Sequence, residues 1–148
     1  MAGRVGILTV TDVATDAVAK TLLQGIAAAN HAMELAEVSI GFHGILNTLE
    51  PILVELVRQS DGGTSSAATP VKGDDSVADT LDMTGRHTCT AEPTGSDVVR
   101  AWSVHPQAGL IYPANPKAPI MVGAGDRLGL RVTAAATVKA DATMIFVE

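Results

Sequence analysis

Residues 127–132, Arg-Leu-Gly-Leu-Arg-Val, set Leu128, Leu130 and Val132 in strict alternation with Arg127, Gly129 and Arg131. A period of two belongs to a strand, so one face of this segment meets a core and the other carries two guanidinium groups. The runs Ile120-Met121-Val122 and Ala142 to Val147 flank it, and the turn Gly123-Ala124-Gly125-Asp126 leads into it. Three short apolar runs parted by turns read as antiparallel strands. In the turn, Gly125 supplies a positive φ that other residues resist, and Asp126 is placed to accept backbone N–H groups.

The rest of the chain continues the pattern. Val5 to Val13 is β-rich and breaks at Ala14-Thr15-Asp16-Ala17. In Met33 to Phe42, Val38, Ile40 and Phe42 alternate with Glu37, Ser39 and Gly41, and the opposite parity of Leu35 predicts a bulge there. Thr21 to Ala29 is ambiguous: Val18, Leu22 and Ile26 fit a helix, whereas Leu22, Gln24 and Ile26 fit period two. Pro51 to Gln59 has the same duality and is assigned as strand for consistency with the rest. His87 to Ala91 and Val98 to Val104 add a strand pair, the latter with Val98, Trp102 and Val104 on one parity. Between them and the earlier strands, Ser60 to Gly85 is polar and small, opening on the tight turn Asp61-Gly62-Gly63; it reads as a long surface excursion. After Leu110-Ile111-Tyr112, the prolines at 113, 116 and 119 predict a loop or an edge. The inventory is about eight or nine strands in an all-β, single-domain fold over residues 1–148, a β-sandwich or jelly roll with a polar excursion around residues 60–85.

Composition limits what such a body can do. Hydrophobic residues make up 47% of the 148 and charged residues 18%, so part of the apolar excess is expected to face a partner. The net charge of −6 comes without a basic stripe, which argues against nucleic acid. No apolar run reaches the ~18 residues of a membrane helix, and the start lacks a signal-peptide pattern, so a soluble protein made in a cytoplasm is expected. Cys89 is the single cysteine, which excludes an internal disulfide and a thiolate zinc site; with only Arg86 and His87 beside it, an inert thiol is expected.

Chemistry-bearing motifs are sparse. His31, His43, His87 and His105 show no metal-ligand spacing, and His87 with His105 is the pair that a fold could bring together. The glycines at 123, 125 and 129 miss the dinucleotide fingerprint, because the third is one residue late and a strand follows. Asp74, Asp75, Asp79 and Asp82 lack the ligand alternation of a calcium loop, and Ser65, Ser66 and Ser103 lack a nucleophile elbow. Neither Glu50 with Glu55 nor Glu92 with Asp97 stands out as a glycosidase pair, given aromatic content of 3%. No catalytic, cofactor or metal residue is assigned.

The segment order Ala28-Ala29-Asn30-His31, Val38 to Phe42, Pro51 to Leu56, Thr90 to Thr94, Val104-His105-Pro106-Gln107 and Gly125 to Val132 resembles a group of small structural proteins of tailed bacteriophages, the capsid decoration or cement proteins. The likeness covers about three quarters of the chain, and its motifs are structural. The closing strand, Gly-Asp turn, strand, loop and last strand is also similar to the end of the tumour necrosis factor-like jelly roll, from which the scarcity of aromatics departs. The resemblance implies a virion structural protein on the capsid exterior, synthesised in the host cytoplasm. Its partners would be the major capsid protein and further copies of itself, in a trimer, with no enzymatic activity and no cofactor. The expected contact elements are the residues before Val5, the Ser60 to Gly85 excursion and the Tyr112 to Pro119 loop. A tail, fibre or baseplate component and a carbohydrate-binding sandwich using Trp102 and Tyr112 are the other readings; an enzyme, with His87 or His105 as the residues to test, ranks last.

Overall fold

The computed structural model describes residues 3–44, 50–76, 78–95 and 97–148, and among these there are twelve strands and no helix. Hence no helix there is long and apolar enough to cross a membrane. One sheet holds β1 (Val5–Ala14), β3 (Met33–His43), β6 (Val71–Lys72), β9 (Leu110–Pro113), β10 (Ile120–Val122) and β12 (Lys139–Val147). Its order is β10-β3-β12-β1-β6, with β9 sharing the outer side of β3 with β10. The second sheet is ordered β5-β7-β2-β11-β4-β8, from β2 (Lys20–Ile26), β4 (Ile52–Gln59), β5 (Thr64–Ala68), β7 (Thr84–Ala91), β8 (Asp97–Val104) and β11 (Arg127–Thr133). Every pairing is antiparallel, and the two sheets enclose one core. The chain is a β-sandwich.

The alternation in β11 is realised in full. Leu128, Leu130 and Val132 are completely buried, while Arg127 and Arg131 lie on the outer face. β4 also resolves as a strand, burying Ile52, Val54 and Leu56. The ambiguous stretch is strand β2, and a bulge explains why it imitated a helix. Pairing passes from Leu130↔Leu23 to Arg131↔Thr21, so Leu22 is the extra residue and both Leu22 and Leu23 are buried. The bulge expected near Leu35 falls on Ala36, which is skipped between Phe146↔Leu35 and Ile145↔Glu37. From there on, Val38 and Ile40 take over the core face.

Two expectations need adjusting. The excursion is not free of regular structure: β5 and β6 lie within it, pairing β7 and β1 respectively. Thr-Ser-Ser-Ala-Ala has no apolar period to reveal it, since an exposed edge strand is held by backbone bonds and buries little. With β9 as well, this brings the strands to twelve. The second adjustment is Val98, which does not share a face with Trp102 and Val104. Val99 is an extra residue between Leu56↔Arg100 and Val57↔Val98, and the bulge turns Val98 to the outer surface. The proline stretch behaves as expected, because β9 ends at Pro113 on the sheet edge and β10 begins after Pro119.

The sheets close on two glycines. Gly25 and Gly85 pair directly across β2 and β7, and both point into the core. A Cβ on Gly25 would lie 2.5 Å from Cζ of Phe146, and one on Gly85 would lie 2.6 Å from Cδ2 of Leu8. Phe146 and Leu8 belong to the opposite sheet and are fully buried. Bare backbone in one sheet therefore forms the seat for large side chains of the other; each such side chain contributes roughly 1.5–3 kcal/mol on burial. Gly25→Ala is expected to cost about 1–3 kcal/mol through overpacking against Phe146. Chemical denaturation checks this, and an unchanged midpoint would show that the ring has room to shift.

Candidate functional site

The outer face of the second sheet carries a buried polar network. Gln24, pointing away from the core between Gly129 and Arg86, donates from Nε2 to Gln59 Oε1 at 2.7 Å and to the Asp61 carbonyl at 2.8 Å. Gln59 Nε2 donates to Thr21 Oγ1 at 2.8 Å, and Thr21 Oγ1 donates to Glu92 Oε2 at 2.8 Å. The Thr21 amide donates to the other oxygen of Glu92. Arg127 Nη1 closes the far end on Gln24 Oε1 at 3.0 Å. Gln24, Gln59 and Thr21 are almost wholly buried, so an unpaired amide here would cost about 1–3 kcal/mol. Gly129 makes the arrangement possible, since a Cβ there would sit 2.1 Å from Gln59 Oε1. These side chains are consumed by one another, which is the signature of a structural clasp.

The covering turn is fixed by Asp61. Its Oδ1 accepts the amides of Gly63 at 2.9 Å and Thr94 at 3.1 Å, joining the turn after β4 to the loop after β7. Thr94 first, then Gly63, hold the Asp61 carboxyl below its ordinary value. Gly63 itself has φ of 54°, as expected of this turn.

A second cluster forms where the segment before β7 meets the ends of β1 and β12. The Glu148 carboxylate, its side chain only 1% exposed, accepts the amides of Asp82 and Met83, each at 2.8 Å. Arg4 Nη2 lies 2.7 Å from Asp82 Oδ2 and 3.3 Å from Glu148 Oε1, and Arg4 also donates to the Thr80 carbonyl. The bond from Arg4 depresses the Asp82 carboxyl and, reciprocally, holds the guanidinium more firmly charged. His31 Nε2 faces the same carboxylates, 3.6 Å from Glu148 Oε2 and 3.9 Å from Asp82 Oδ2. Sequence spacing gave no hint of this meeting, because its members come from positions 4, 31, 82 and 148. Asp82 had been grouped with its neighbours in the acidic run; its partners lie elsewhere.

The remaining candidates are scattered. His87 sits on β7 and His105 follows β8, with β2, β11 and β4 between those two strands. His87 Nδ1 is beside Thr88 Oγ1, and His105 Nδ1 accepts the Gln107 amide. His43 is 3.2 Å from Asp141 and 3.4 Å from Asp12, which also bonds Lys139, all on an exposed surface. Asp74 accepts from Ser76, its own turn neighbour. Glu55 pairs with Arg131 at 3.2 Å across β4 and β11, and Glu92 is held by Thr21. Burial, ahead of the nearby Glu92 charge, pushes the Cys89 thiol up. Gly125 has φ of 76°, and the Asp126 amide closes that turn on the Gly123 carbonyl. Trp102 and Tyr112 meet with ring centroids 5.0 Å apart and planes tilted by 53°, joining β8 to β9 across the edge of the sandwich.

Of the expected contact elements, the excursion borders an open cleft of about 640 Å³ that includes Pro70, Leu81, Met83 and Arg86. Large exposed apolar side chains lie at both edges, with Val71 on β6 at 65% exposure at one and Ile111 on β9 at 72% near Val98 on β8 at the other, while Val18 before β2 is 73% exposed. No family model matches the chain, and no curated protein or solved structure was found to match it.

Acid should probe the Asp61 staple. Its depressed carboxyl contributes stability that is complete above the unfolded value, near 3.8, and is lost as pH falls through the lower native value. Asp61→Asn should therefore flatten the acid limb of a stability-versus-pH curve below about pH 4. Superimposable limbs for the two proteins would remove Asp61 from that role.

Proposed function

We propose that this chain is a virion structural protein that decorates and stabilises the outside of a bacteriophage capsid as a symmetric oligomer, a trimer of 15.2 kDa subunits. The observation that carries the reading is that exposed apolar side chains lie at both edges of the sandwich, Val71 at one and Ile111 with Val98 at the other. A protein that binds one small ligand concentrates its apolar surface in a concavity. A lattice subunit instead has to meet neighbours on several sides, through contacts that are individually small and gain strength by repetition.

The rim of β8 supports face contact over strand addition. The bulge at Val99 and the charge of Arg100 interrupt the edge, as edges protected from pairing commonly are. Beside it, the outer face of β4 and β8 carries Leu53, Val98, Ala101 and Ser103 around the Glu55–Arg131 ion pair. The major capsid protein or a second copy of this chain is the partner such a surface suits. The sequence resemblance to decoration proteins points the same way, and a jelly-roll connection of the strands belongs to the same proposal. The function needs no cofactor and no catalytic group.

Phage assembled without this chain should keep normal tails but have heads that rupture at lower temperature, with purified protein restoring them. Ile111→Asp and Val98→Asp should abolish restoration while changing folding stability by no more than about 0.5 kcal/mol, as is usual at exposed sites. Sturdy heads accompanied by defective tails would move the chain to the tail and overturn the proposal.

A further inference from the structure

The geometry points to a binding site for a divalent transition cation, with zinc as the best match, formed by His31 Nε2, Asp82 and Glu148. One potential ligand atom from each lies within 4.8 Å of the others. They come from three separate segments: the β2–β3 turn, the stretch before β7 and the residue after β12.

The central observation is His31 Nε2, a buried nitrogen with no hydrogen-bond partner. The other ring nitrogen, Nδ1, is 3.0 Å from Asn30 Oδ1, an oxygen that can only accept. In the neutral ring the proton therefore belongs on Nδ1, which leaves a lone pair on Nε2 directed at two carboxylates. Arg4 and two backbone amides already donate to the carboxylates, but none of these donors serves His31 Nε2, and a cation between that nitrogen and the carboxylates would remove their repulsion.

Distance separates a metal from a proton. The gaps from Nε2 are 3.6 Å to Glu148 and 3.9 Å to Asp82. A hydrogen bond spans about 2.7–3.2 Å. Two ligands on one tetrahedral zinc, each bonded at about 2.0–2.1 Å, stand roughly 3.4 Å apart. The observed gaps are too wide for a hydrogen bond and somewhat above the second value, so small side-chain movements would close the set on a metal.

The surroundings fit ligands held in advance. Glu148 is oriented by two amides and Asp82 by Arg4, and the Asn30 contact fixes the imidazole, as outer partners do around bound metals. One nitrogen and two carboxylates also suit zinc, with water in the fourth position. Asp82 and His31 keep 47% and 31% of their side chains exposed, which gives water a path. Arg4 opposes the cation, but the two carboxylates outnumber it. Bound metal would tie the end of β12 to the turn that enters β3.

The test is calorimetric titration of the full chain with zinc chloride at pH 7.5, with thermal unfolding read in parallel. One equivalent should bind and raise the melting temperature. His31→Ala and Asp82→Asn should each weaken binding at least tenfold, and His43→Ala should leave it unchanged. Absent binding to the wild type, undiminished binding to both ligand variants, or loss on His43→Ala would overturn the site.

Discussion

The two sheets are joined where Phe146 and Leu8 sit on the bare backbone of Gly25 and Gly85. Strand pairing alone organises each sheet within its own plane and leaves the distance between them open. Large side chains from β12 and β1 set that distance, and two glycines paired across β2 and β7 allow it to be short. The cost is the larger backbone entropy that glycine loses when ordered in a strand, roughly 0.5–1 kcal/mol each, which the buried phenyl and isobutyl groups exceed.

The same central strands are covered on their other side. Outside β2, β4 and β11, the chain Arg127–Gln24–Gln59–Thr21–Glu92 fills the surface beneath the turn that Asp61 staples down. A sheet face that would ordinarily meet water is thus given a polar lid whose hydrogen bonds are met internally. Gly129 serves this face as Gly25 serves the core, by leaving room for a neighbour's side chain. Glycine in these strands marks close approach on whichever side it points.

Much of this was legible in the sequence, and the exceptions have physical causes. Period two in Arg127 to Val132 and in Val38 to Phe42 reported the core face directly, because burial of one face is what writes that pattern. Leu22 and Val99 broke the period, since a bulge adds a residue without adding a rung. β5 and β6 left no trace because exposed edges need only backbone bonds. The polar clasp and the His31 cluster were hidden for another reason. Their members, such as Thr21 and Glu92 or His31 and Glu148, meet through strand order, which local composition does not encode. Asp61-Gly62-Gly63 was readable as a turn, whereas its bond to the Thr94 amide was not.

The glycine seats couple both sheets into one cooperative unit, and native-state hydrogen exchange reads that coupling residue by residue. The amides of β2, β11, β12 and the inner part of β1 should exchange only by global unfolding, with one shared free energy, while β5, β6 and β9 open locally at lower energy. Two separate free energies, one for each sheet, would contradict it.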